Sequence, residues 1–278
     1  MREGPGVLHE LFDPFFVCVQ VCLALSTLCW LLSVVTREYS WVDRLWSLAP
    51  PAYCWVVAGQ MHFSDGRVNL ITALTTAWGL RLTFNFARKG GYRKGGEDYR
   101  WVVLRERLGP VGFRIFNLVF IAPFQNALLL MIATPVVLAA KHPGPLSVFD
   151  ALLAVVFLLC LVGETVADEQ QWRFQKAKAA RKARGEAGPD FCTTGLFRFS
   201  RHPNFFFEVS MWWLVYGFAV VATGEWSNWV GWGAVTLTGL FQGSTAMTEG
   251  ISKAKYPAYA GYQRTTSRLL PWKPGVSG

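Results

Sequence analysis

Apolar residues in this chain gather into long, nearly unbroken runs separated by short polar breaks, a pattern unlike the one-sided stripes of a soluble helix. Seven runs approach the roughly 20 residues a helix needs to cross a bilayer: 11–35, 41–59, 68–87, 113–140, 146–167, 205–222 and 226–247. The fourth is long enough to tilt or to include an interfacial piece. The second carries Asp43, Arg44 and the Pro50-Pro51 pair, which makes it the weakest of the seven. The expected fold class is therefore an all-α integral membrane protein of about seven transmembrane helices, with residues 1–278 forming a single transmembrane domain.

Composition agrees with that reading. Hydrophobic residues make up 52% of the chain, with 13 Trp and only 16% charged residues, beyond what a soluble domain carries. The net charge of +9 falls on one set of connections. Arg37 and Arg44 flank the first; Arg88, Lys89, Arg93, Lys94, Arg100, Arg105 and Arg107 fill the third; Arg173 to Arg201 fill the fifth; Lys253 to Lys273 fill the tail. The even-numbered connections hold only Arg67 and Lys141. Because short cytoplasmic loops collect Lys and Arg, this predicts an N-terminus outside or lumenal and a cytoplasmic C-terminus. The charge reads as topology and attraction to anionic lipid, with the bilayer as partner and no nucleic acid. The endoplasmic reticulum is the expected membrane in a eukaryote and the inner membrane in a bacterium. The first run lacks a basic region and small-residue cleavage site, so it reads as a retained span.

Six cysteines, five of them inside apolar runs, show no zinc-ligand spacing and read as small buried hydrophobes, with no metal site expected. Residues 168–201 are the one extended soluble-looking segment: a helix leaving the membrane, broken at Gly185 to Pro189.

Ionisable groups inside spans are rare unless they face a polar cavity or a partner, so each is a functional candidate. Asp43 stands early in the second span. Arg81, Asn85 and Arg88 recur at four- and three-residue steps on one helical face, suited to phosphate because arginine offers it a planar fork. Asn204 and Glu208 form another four-residue pair, an amide and a carboxylate suited to a carboxamide or sugar hydroxyls. Snorkelling and structural pairing are the competing accounts of these groups.

The block Gly195-Leu196-Phe197-Arg198-Phe199-Ser200-Arg201-His202-Pro203-Asn204-Phe205, with Glu208 and Trp212-Trp213 after it and Ala167-Asp168, Gln170 and Phe174 before it, resembles the steroid 5-alpha-reductase-like superfamily. More closely it resembles that superfamily's DUF1295 branch. Trp78 to Leu82, Gly96 to Arg100 and Tyr256 to Trp272 extend the likeness over most of the chain. The resemblance implies a membrane-embedded reductase that uses NADPH to reduce a carbon-carbon double bond of an apolar, lipid-like small molecule such as a steroid or other enone. It places Asn204 and Glu208 at the nicotinamide end and Asp168 and Arg81 at the ribose and phosphate. Arg201, His202, Arg88 and Arg100 become phosphate or loop-fixing partners, and Glu249 a further cofactor contact. The 168–201 region then contributes to the cofactor site.

Family members polarise the substrate carbonyl with a Tyr/Glu pair. Here the Tyr position reads Trp78, with Asp43 as the nearest acid and Tyr53 or Tyr39 as other phenols. Phe207 stands where the family usually has Gly, and a ring there would narrow the cofactor channel. Two other classes share features with this pattern. Isoprenylcysteine and phospholipid methyltransferases, which bind S-adenosylmethionine, also place an Arg-His-Pro block before a late span. A non-catalytic lipid-binding protein would keep the fold alone.

Overall fold

The computed structural model describes residues 13–275, and among them helices account for all regular structure apart from a single bridge between Ser200 and Ser267. The helices are α1 (Pro14–Thr36), α2 (Trp41–Leu45), α3 (Ala49–Gln60), α4 (Gly66–Arg88), α5 (Tyr99–Phe116), α6 (Gln125–Lys141), α7 (Val148–Ala183), α8 (Pro203–Thr223), α9 (Trp232–Lys255) and α10 (Tyr259–Thr265). A π-helical segment, Asn117–Phe124, joins α5 to α6.

Four stretches are long and apolar enough to cross a membrane: Pro14–Thr36, the continuous Tyr99–Lys141, Val148–Ala183 and Pro203–Thr223. The start of the first apolar run, at residue 11, lies outside the described residues. The second run does not form one helix. It breaks between Leu45 and Ala49, and the prolines sit in the first turn of α3, where a missing N–H costs no helical hydrogen bond. At 12 residues α3 is about 18 Å long, short of a bilayer. The last run starts later than its apolar content suggests, because residues 229–231 form a 3₁₀ turn before α9 begins at Trp232.

Local chemistry sets the helix starts. Asp13 accepts from the Phe15 N–H at 2.8 Å, Asp65 from Val68 at 2.9 Å and Asp98 from Arg100 at 2.9 Å, each meeting one of the donors that a helix start leaves open. Within the 43-residue Tyr99–Lys141 stretch, Gly109 at φ 67° precedes Pro110 and kinks the rod. Pro123 lacks the N–H that an α-turn needs and lies inside the wider π turn. Phe116, Phe120 and Phe124 stack along it at 4.8 and 4.9 Å.

The described residues through Ala154, with Trp213–Thr236, pack as one compact unit. In it α3 packs on α4 and α6, and α1 on α3, α6 and the π segment. Gly79 permits the approach of α4 to the chain entering α3, since a Cβ there would lie 2.5 Å from the Ser47 carbonyl oxygen. Arg67 is buried in a two-pronged pair with Asp150, Nε to Oδ1 at 2.7 Å and Nη2 to Oδ2 at 3.0 Å. This pair ties the first turn of α4 to the first turn of α7.

Val155–Trp212, with the described residues from Leu237 onward, forms the second unit. Its helix α7 runs to Ala183 and stops at Gly185, φ 71°, where the sequence places the break.

Candidate functional site

The second unit holds Asp168, Arg201, His202, Asn204, Glu208 and Glu249. Asn204 and Glu208 occupy the first two turns of α8, and Asp168 lies on α7. Glu208 and Asp168 are each only 4% exposed. The Trp212 indole N–H donates to Glu208 Oε1 at 3.1 Å, one turn along the same helix. A further carboxylate, Glu164, is also buried, one turn before Asp168 on α7. It escaped the sequence reading although it lies inside an apolar run, where the rule that singled out Glu208 applies to it equally.

The Phe207 ring lies against Gly163 of α7, where a Cβ would meet it at 2.5 Å, so the missing side chain on one helix accommodates the added ring on the other.

Arg201 and His202 converge on Glu249. Arg201 Nε donates to Glu249 Oε1 at 2.7 Å and Nη2 to Oε2 at 3.1 Å, while Nη1 donates to the Gln263 and Thr266 carbonyls. His202 Nε2 meets Glu249 Oε1 at 3.1 Å, and the Gln263 amide donates to Oε2 at 2.9 Å. Burial pushes the Glu249 carboxyl upward, but the hydrogen bonds from His202, Arg201 and Gln263 outweigh it and hold the group at about 2. Backbone bonds run alongside: Arg201 N–H to Ser267 O at 2.8 Å, His202 N–H to Arg268 O at 3.1 Å and Trp272 N–H to Phe199 O at 2.9 Å. The Arg-His pair thus fastens the C-terminal tail to the loop that leads into Asn204 and Glu208.

This construction covers residues 195–208, the block on which the resemblance rests. The chain belongs to the DUF1295 family. That family, described as protein of unknown function, matches residues 29–266. A DUF1295-type chain of Schizosaccharomyces pombe, an uncharacterised protein, is 34% identical over 281 residues, covering 93% of this chain and 80% of that protein. No solved structure matches.

In the first unit, Arg81, Asn85 and Arg88 share a face of α4, and Arg88 Nε donates to Asn85 Oδ1 at 2.9 Å. Asp43 Oδ2 accepts from the Trp101 indole at 3.0 Å. Trp78 is fully buried within α4, and Tyr53 is 1% exposed within α3. Tyr39 stacks edge-on against Phe113 at 4.7 Å. Arg100 is turned to Asp98, at 2.7 Å.

The donor set of the second unit fits the amide and sugar end of a nicotinamide dinucleotide: buried carboxylates and an amide accept from N–H and O–H groups. It fits phosphate less well, because the Arg201 fork is already engaged by Glu249 and two backbone carbonyls.

Proposed function

We propose that this DUF1295 protein is a membrane-embedded, NADPH-dependent reductase acting on a carbon-carbon double bond of a lipid-like substrate. Its seven membrane-crossing segments, the second made by the two short helices α2 and α3 together, leave a lumenal or external N-terminus and a cytoplasmic C-terminus. The alternation of basic and base-poor connections supports the orientation. The observation that carries the activity is the Asn204–Glu208 pair at the head of an apolar helix, with Glu208 buried and held by Trp212.

When bound, the cofactor supplies a hydride. Glu208 and Asn204 would hydrogen-bond its carboxamide and orient the ring, and Asp168 would accept from ribose hydroxyls. Arg201, His202 and Glu249 act one step removed by holding the loop before Asn204 in place. The assignment concerns the second unit; the Arg81, Asn85 and Arg88 face is a separate phosphate candidate in the first. Reduction of an enone also needs a donor to stabilise enolate charge as it develops. Trp78 donates a hydrogen bond but no proton, whereas the phenol of Tyr53 gives both.

Equilibrium binding of NADPH, NADH and S-adenosylmethionine to the detergent-purified chain tests the reading. NADPH is expected to bind, and Glu208→Gln or Asn204→Ala to weaken it roughly 10- to 100-fold with the fold retained, the range for a lost hydrogen bond to a charged group. NADPH affinity equal to the parent's in both variants overturns the site, and selective S-adenosylmethionine binding moves the protein to methyl transfer.

A further inference from the structure

The C-terminal segment leaves α10 at Thr265 and folds back on itself. Gly275 N–H donates to Thr265 O at 2.8 Å, which closes residues 265–275 into a knob. One side of the knob is pinned to the residues before α8. Ser200 Oγ donates to Leu269 O at 2.7 Å, and Trp272 N–H donates to Phe199 O at 2.9 Å. Proline at 271 and 274 restricts the backbone further. The knob thus has a defined shape.

Its outer surface is ill suited to water. Leu270 is 67% exposed, Trp272 75%, and Phe199, joined to Trp272 by that hydrogen bond, 42%. Arg198 and Lys273, adjacent to Phe199 and Trp272 in the chain, are exposed too, and neither has an ion-pair partner among the described residues. Arg268 is half engaged, with Nε 3.9 Å from Glu249 Oε2 and its side chain 44% exposed. From residue 250 to 275 the chain carries five bases and no acid. Large apolar side chains gathered on an exposed surface mark an interaction site, and the bases among them specify a negatively charged partner.

The level of this surface in the bilayer follows from α8. Its 21 residues are about 31 Å long, close to the roughly 30 Å of the hydrocarbon core, so the helix has little slack at either end. Pro203 therefore opens α8 at the boundary, and Phe199 lies four residues before it. The knob bonded to Phe199 is held at the headgroup layer, where aromatic rings reach the acyl chains and bases meet phosphate. The distribution of Lys and Arg puts this end at the leaflet that carries anionic lipid.

We propose that the 265–275 knob, together with Arg198 and Phe199, docks on an anionic phospholipid leaflet. Phe199, Leu270 and Trp272 enter the glycerol and upper acyl region, and Arg198 and Lys273 take lipid phosphates. The Trp272 indole N–H, without a partner among the described residues, donates to an ester carbonyl. Docking sets the depth of the loop that leads into Asn204 and Glu208, because Phe199 and Ser200 belong to that loop and to the ladder with the knob. The inference stands apart from the reductase reading and concerns the partner of a different surface.

The test places the full chain in nanodiscs of phosphatidylcholine, with or without phosphatidylserine, and uses lipid brominated high on the acyl chain. The difference in tryptophan emission between parent and Trp272→Phe isolates this indole from the other Trp residues, and brominated lipid is expected to quench that difference. Native mass spectrometry then counts phosphatidylserine against phosphatidylcholine retained by the protein. Arg198→Gln and Lys273→Gln should each lower the preference for phosphatidylserine about 5-fold, the worth of one base at an anionic surface, and together about 30-fold. Because these side chains are exposed, the melting temperatures in detergent should stay at the parent's. No quenching of the Trp272 signal, equal retention of the two lipids, or an unchanged preference in the double variant overturns the inference. A detergent-stable oligomer that Trp272→Phe disperses, with no quenching, makes the surface a protein contact and overturns it as well.

Discussion

The Glu249 clasp of the second unit and the neutral side chains Tyr53, Asn117, Gln125 and Asn126 of the first are both buried and polar, yet hydrogen bonding is complete in one and incomplete in the other. Around Glu249, 3% exposed at its side chain, each carboxylate oxygen accepts from two side chains, and the backbone ladder to the tail runs beside it. In the first unit, Tyr53, Asn117, Gln125 and Asn126 each bury one polar atom without a hydrogen-bond partner. The charges of the clasp are therefore engaged in holding the tail, whereas the neutral groups are only partly satisfied.

The contrast breaks most sharply at Glu249. Glu249→Ala should cost about 3–5 kcal/mol in thermal unfolding, since it strands a buried guanidinium; a loss near zero would mean that the clasp does not hold the tail. Gln125→Leu should move stability the other way, by about 1 kcal/mol, because an unanswered amide leaves and similar volume remains. A loss there would show that the Gln125 amide has a partner in the native protein. Acid gives the smallest effect near neutrality. The Glu249 carboxyl lies below its ordinary value of 4.5, at about 2, so its contribution is fully present above pH 4.5. It should fade as pH falls from there toward 2, read as a falling melting temperature. The Gln125 amide does not titrate, so the stability difference between Gln125→Leu and parent should stay flat over the same window.

The apolar runs located the long helices, because bilayer length is written directly into run length. They misjudged residues 41–59 and 226–231, where proline placement and a short turn, both local backbone effects, override hydropathy. The block from Arg201 to Glu208 stood out because charge beside a long apolar run is conspicuous. The direction in which Arg201 points was not legible, since its partner Glu249 lies 48 positions away. Asn117, Gln125 and Asn126 went unremarked for a different reason: uncharged amides inside an apolar run scarcely lower its hydropathy. Asp150 was missed although it lies inside the 146–167 run, because its partner Arg67 reads as an ordinary loop charge until the fold joins them.

The ring of Phe207 and the bare backbone of Gly163 form a lock with a required order of opening. A chain drifting away from this sequence must shed the ring before position 163 gains any side chain; the reverse route passes through two helices forced apart. The same dependence holds at the bench, where a small residue at 207 is the step that comes first and any filling of position 163 follows it.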